Sequence, residues 1–243
     1  MNYDLYFFSG HGDGDCGAVG QGTTEETVVK RMTKEIVKML VDKGLKVHTN
    51  GNKNNYKDNL LQGHTYKYKF GYTLHLNSST NNKANGIEII VPAGEKDITL
   101  DLDIIKSLNK YFMPRGVKSR HYDNEMFYNR VNGENYQFKD YYREIRNAWQ
   151  QGVSGGIIEL CFLSNISDFQ MLVKYEQKII ISIVNAILRY CQFEPYDTSS
   201  QNVIYKVQTG AFNNIENARK QIEQLKKLNI NATIIAEKNE KQG

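Results

Sequence analysis

LYFFSGHGDGDCGAVGQGTTE, residues Leu5 to Glu25, is the stretch whose reading decides the fold. Its apolar start, Leu5 to Phe8, predicts a short buried strand, and glycines at 10, 12, 14, 17, 20 and 22 predict a sharply turning loop after it. His11 falls just past the strand end, where open α/β sheets place their ligands. Glu25 stands at the start of a long amphipathic pattern. An imidazole and a carboxylate brought together by a permissive loop suggest a metal.

Outward from this stretch, Thr24 is a helix cap for a segment running to about Lys43, with Glu25 and Glu26 in the first turn, where acids suit the helix dipole. Val29, Met32, Ile36 and Leu40 form its apolar face, and Gly44 is a stop. Leu45 to His48 reads as a second strand. Strand, helix and strand with brief connections is the unit of a parallel sheet with right-handed crossovers. Further strands are expected at Tyr66 to Asn77, Gly86 to Val91 and Gly155 to Phe162. Further helices are expected at Ile98 to Phe112, facing inward with Ile98, Leu102, Ile105, Leu108 and Phe112, and at Asp168 to Tyr190. Met113 to Asn135 shows no period and is a candidate substrate-facing wall. The expected fold is α/β, a mostly parallel twisted sheet with helices on both faces. Residues 1–191 form the main domain and 192–202 a linker, leaving 203–243 as a small β-α-β appendage.

Composition narrows the class. The 243 residues are 40% apolar and 24% charged, ordinary for a chain that buries a core. A formal charge of +4 favours loose attraction to an anionic polymer. Without a compact basic reading helix, nucleic acid is not an expected partner. Cys16, Cys161 and Cys191 are too few and too far apart for a disulfide framework, so free thiols are expected. The first residues carry no basic, apolar and small-residue leader pattern. The longest apolar run, Ile179 to Leu188, falls short of the roughly 20 residues that cross a bilayer. A soluble product made in the cytoplasm without a signal peptide, and no membrane insertion, are expected.

Catalytic zinc takes three protein ligands and leaves a position for water. His11, Glu25 and His75 fit that requirement, since both histidines lie at the C-terminal ends of expected strands and Glu25 enters from the adjoining helix. The plainer alternative is a loop histidine, a capping acid and a strand-end histidine. Glu159, an acid inside the apolar strand GGIIELCF, needs a partner or a cavity. GDGDCG also satisfies a dinucleotide-binding pattern, but Asp13 and Asp15 would repel a pyrophosphate. Cys16 and Cys161 are better read as plain thiols than as nucleophiles, although Cys161 shares the face of Glu159 by strand alternation. His48, His64 and His121 have no partner in sequence and are read as surface or substrate-wall residues.

These residues resemble the zinc-dependent N-acetylmuramoyl-L-alanine amidases of bacterial autolysins and phage endolysins. SGHGDGDCGAVGQGTTE looks like the family's glycine-flanked histidine and helix-starting glutamate. TLHLN resembles its second histidine motif, and IIELCFLSN its acidic strand. The resemblance implies a Zn2+ cofactor held by His11, Glu25 and His75, with Glu159 catalytic. It implies peptidoglycan as substrate, cut between N-acetylmuramic acid and L-alanine. A zinc peptidase acting on stem peptides and a non-catalytic cell-wall-binding protein are the alternatives. The sequence departs from the family at Ser9, where an Asp-Pro usually precedes the glycine, and at Cys16, which replaces a loop proline. YKVQTGAFNNIENARKQIEQL is similar to the start of the SPOR peptidoglycan-binding repeat, which implies a partial wall-binding segment. At about forty residues the segment is marginal for folding alone, so docking on the main domain, a dimer through it, or its being the leading part of a longer module is expected. With no export signal expected, action on the wall after lysis or holin-type release is expected.

Overall fold

The computed structural model describes residues 2–50, 66–120, 126–128, 140–197, 210 and 212–227. Its centre is a seven-stranded sheet. In chain order the strands are β1 (Leu5–Ser9), β4 (Val47–His48), β5 (Phe70–Asn77), β6 (Ile87–Ile90), β7 (Pro114–Arg120), β8 (Met126–Tyr128) and β9 (Ser154–Phe162). The spatial order is β4-β1-β5-β9-β6-β7-β8. From β4 to β9 every pair is parallel. Strand β6 then runs antiparallel to β9, parallel to β7, and β7 antiparallel to β8. The sheet is therefore mostly parallel, with its reversal at β9, the strand that carries Glu159.

Strand alternation divides β5 between two faces. Phe70, Tyr72, Leu74 and Leu76 enter the main core, while His75 points to the other side. Helices α1 (Glu25–Asp42), α2 (Thr99–Leu108) and α4 (Ile166–Tyr190) cover the main-core face through Val29, Met32, Ile36, Leu40, Ile104, Leu108, Ile183 and Ile187. A short helix, α3 (Arg143–Gln150), covers the opposite face. Ile145 packs there with Ile90 and Ile157, and Ala148 with Tyr6 and Phe8. Helices thus flank both faces, as the sequence predicts.

Local chemistry explains the boundaries. Thr24 Oγ1 accepts from the Thr27 N–H at 3.2 Å, which fixes the start of α1. Just before it, β2 (Val19–Gly20) and β3 (Thr23–Thr24) form a hairpin whose central residues, Gln21 and Gly22, have φ of 52° and 75°. Positive φ at both positions is the requirement of a tight hairpin turn that matches strand twist. Asn165 caps α4 by accepting from Ser167 and Asp168. Asp168 in turn accepts 2.8 Å bonds from the Gly86 and Phe162 amides, tying α4 to the ends of β6 and β9.

One expectation is revised, and one unassigned stretch gains a partial assignment. Leu102 is 47% exposed, because α2 turns Leu100, Ile104, Ile105 and Leu108 inward, and Phe112 reaches the core from the turn that follows. Within 113–135, Pro114–Arg120 is a strand whose alternation is blurred by Lys118, a charge buried on the sheet. Helix α3 has too few apolar positions in eight residues to stand out in sequence.

The chain divides into two compact units, Met1–Tyr196 and Asp197–Gly243. In the second unit α5 (Ile215–Lys227) is the described helix, with Asn214 Oδ1 accepting from the Glu216 N–H at 2.8 Å. The two strands of the expected β-α-β appendage lie outside the described residues. Among the described residues no helix is long and apolar enough to cross a membrane.

Candidate metal centre and active site

Strand ends and one helix start bring the proposed ligands together. His11 follows β1, His75 lies near the end of β5 beside it, and Glu25 opens α1. His11 Nε2 is 3.3 Å and His75 Nδ1 3.1 Å from the same atom, Glu25 Oε1. The three donor atoms lie within 4.8 Å of one another, a spacing that one metal ion could bridge. The two imidazoles meet edge-on with ring centroids 4.9 Å apart.

Glu25 is also fixed by the backbone. Its Oε1 accepts from the Leu76 N–H at 2.9 Å and its Oε2 from the Ala18 N–H at 3.0 Å. A Cβ at Gly10 would lie 2.1 Å from the His75 ring, and one at Gly17 2.6 Å from Glu25 Oε2 and 2.7 Å from His11 Cδ2. Gly17 also has φ of 63°, a conformation disfavoured for side chains. These glycines leave room for the three donors to converge.

The electrostatics favour a cation. Burial would raise Glu25, but hydrogen bonds from His11 and His75 outweigh it and hold the carboxyl far below the usual range. Burial would lower both imidazoles, yet Glu25 outweighs it. His11 is raised, and His75, with Glu144 and Glu159 adding to the field, is pushed up to about 9. Asp15 Oδ2 adds another negative charge 3.0 Å from His11 Nδ1. Four carboxylates around two imidazoles make a site whose donor set and charge both fit a divalent metal.

Glu159 stands in register with His75 on one side and Glu88 on the other, so the three occupy one row across β5, β9 and β6. Its Oε2 is buried and has no hydrogen-bond partner. Burial first, then the charges of Glu25, Glu88 and Glu144, outweigh the opposing influence of His75 and push its carboxyl up to about 7. That is the range of a group that exchanges protons at neutral pH. Glu88 differs: burial would raise it, but Lys118 and Arg115 hold it ionised.

Other candidates fall elsewhere. Cys161 belongs to the main core, because the register shifts between His75 and Asn77 and breaks the alternation of β9 at that point. Cys16 is exposed, and all three cysteines are free. His48 stacks on Tyr3 with centroids 4.9 Å apart and is hydrogen-bonded to the Tyr68 hydroxyl at 2.5 Å, within an aromatic cluster. His64 and His121 lie outside the described residues. Sequence reasoning missed Asp15 as a neighbour of His11, though their i,i+4 spacing was visible. It also missed Glu88 and Glu144, for which no local signal exists.

Comparison with known proteins bears on the whole arrangement. Residues 8–189 match the family model for N-acetylmuramoyl-L-alanine amidase, and residues 200–243 match that for the SPOR domain. No curated protein matches the sequence. Among solved structures, Cwp6 from Clostridium difficile is 22% identical with a TM-score of 0.63, the match covering 78% of this chain and 29% of that one. The chain thus spans less than a third of that protein. The CwlD amidase from Clostridioides difficile, solved in complex with the GerS lipoprotein, is 20% identical with a TM-score of 0.61, covering 78% and 98% of the two chains. An amidase structure from Neisseria meningitidis gives 20% identity and a TM-score of 0.57, covering 79% and 98%. These structural likenesses establish the shared fold, and the sequence match over most of the first unit establishes kinship: the chain belongs to the N-acetylmuramoyl-L-alanine amidase family.

Proposed function

We propose that the protein is a zinc-dependent hydrolase that cuts the amide between the lactyl group of N-acetylmuramic acid and the L-alanine of the peptidoglycan stem. The observation that carries this reading is the Glu159 carboxyl, in register with His75 and left with an unpartnered buried oxygen. Family membership supports the bond, and the His11, Glu25 and His75 cluster supports the metal.

His11, Glu25 and His75 would hold the ion. Zinc in such a site supplies a Lewis acid that polarises a carbonyl and lowers the pKa of water to about 7. Glu159 accepts the proton of the attacking water as the C–O bond forms. When the C–N bond breaks, it returns that proton to the departing nitrogen, leaving a lactyl carboxylate and a free L-alanine amine. The Leu76 and Ala18 amides hold the Glu25 carboxylate in place, and the glycine loop carries His11 to it. The 1–191 segment is the catalytic domain in this reading, 192–202 its linker and 203–243 a wall-binding segment.

Glu159→Gln is expected to bind zinc at wild-type stoichiometry while clearing of a cell-wall suspension slows by about 100-fold or more, the usual scale for a lost acid–base group. His11→Ala is expected to lose both zinc and activity. Wild-type clearing by the Glu159 variant would overturn the role of that residue. Full zinc in the His11 variant would overturn the ligand set. Mass spectrometry of released fragments checks the bond: new α-carboxyls within the stem, without freed lactyl groups, would mean a peptidase.

A further inference from the structure

Glu144 enters the site from α3, the helix that sequence reasoning missed. It is 8% exposed, and its Oε1 lies 3.7 Å from His75 Nε2. Neither His75 Nε2 nor Glu144 Oε2 has a hydrogen-bond partner. The opposite ring nitrogen, His75 Nδ1, faces Glu25 Oε1 and the three-donor cluster. The ring therefore presents one nitrogen to the cluster and the other to a buried acid.

A neutral imidazole carries one N–H and one lone pair, and a nitrogen that ligates a metal must offer the lone pair. With Nδ1 turned to the cluster, the proton belongs on Nε2, in a buried position where an unpaired N–H is costly. Among the described residues, Glu144 is the carboxylate within ion-pair distance of that nitrogen. Ile145, next to it on α3, packs against Ile90 and Ile157 and seats the helix on the sheet.

We propose that Glu144 is a positioning residue of the metal site: its carboxylate, 3.7 Å from His75 Nε2, attracts the Nε2–H by its charge and favours the tautomer and ring orientation in which Nδ1 is the metal ligand. This rests on the zinc reading above and extends it to a residue that touches neither metal nor substrate. It also explains why an eight-residue helix keeps a carboxylate against the sheet. Carboxylates behind metal-bound histidines commonly contribute 10- to 100-fold in affinity.

The test uses the full chain and zinc alone, with a fluorescent chelator as competitor. Glu144→Ala is expected to weaken zinc binding by about tenfold or more, and Glu144→Gln, which can still accept but carries no charge, by an intermediate factor. The Gln variant keeps the size of the side chain, and its metal-free thermal midpoint, matching wild type, shows that the fold is retained. Ring-nitrogen NMR of the zinc-loaded protein is expected to show the His75 proton on Nε2, slow to exchange in wild type and fast in Glu144→Ala. Zinc affinity within about twofold of wild type in both variants would overturn the proposal while leaving the zinc reading intact. A wild-type chain that takes up no zinc would overturn both.

Discussion

Gly17 shows how narrowly the site is drawn at the level of single residues. Its positive φ and the approach of Glu25 and His11 to its missing side chain are separate demands that happen to meet at one position. Gly17→Ala is expected to destabilise the chain by about 1–2 kcal/mol through the left-handed backbone alone. The added methyl should also separate His11 from Glu25, so zinc affinity should fall more than that stability loss explains. Urea denaturation of the metal-free protein measures the first effect and chelator competition the second. If affinity is unchanged, the crowding read from the backbone is relieved by movement of the loop.

At this scale the sequence was informative where chemistry and position coincide. Glu159 is the wrong residue type for an apolar strand, and His11, Glu25 and His75 sit at strand ends and a helix start that the chain pattern brings to one edge, which makes them visible. Glu144 and Glu88 are acids among many, and only the packing of α3 and β6 against β9 gives them their neighbours. Cys161 shows the reverse error. Strict alternation pairs it with Glu159, but the irregular register near the end of β5 turns it into the core.

Among the elements, the long periodic ones were legible and the short ones were not. Helix α1 carries 18 residues with a repeating apolar face and an explicit cap, whereas α3 has eight residues and takes its stability from the sheet it covers. Helix α2 is intermediate: its apolar spacing predicts the helix but places Leu102 on the wrong face. The first turn of α2 also carries a buried acid. Asp101 accepts a 2.8 Å hydrogen bond from the Tyr72 hydroxyl, which lowers its pKa, but burial prevails and pushes it up to about 7. An acid whose folded pKa lies above its unfolded value binds more protons in the folded state, so stability falls as pH rises. The loss should accumulate from about pH 4 to about pH 7 and then level off, with a size on the order of a few kcal/mol. Asp101→Asn should remove that slope. Urea midpoints for the two proteins across this range provide the check, and parallel curves would mean that Asp101 ionises freely.

The whole molecule joins two units with different sequence kinships, an amidase family match over 8–189 and a SPOR domain match over 200–243. A chain ending at Tyr196 is expected to keep its zinc and cleave soluble muramyl-peptide fragments at the full-length rate, while pelleting less with insoluble peptidoglycan. Co-sedimentation and fragment turnover, measured side by side, separate attachment from chemistry. Equal sedimentation of both chains would remove the second unit from wall binding.

The two margins of the seven-stranded sheet have a bearing on handling the protein. Among the described residues, one margin is β4, two residues long, and the other is β8, three residues long. Stubs this short offer an incoming extended segment little ladder to add to, a common safeguard against runaway stacking of sheets. Concentrated samples should therefore resist fibril growth seeded at the sheet, even though the strands between those margins are rich in aliphatic and aromatic side chains.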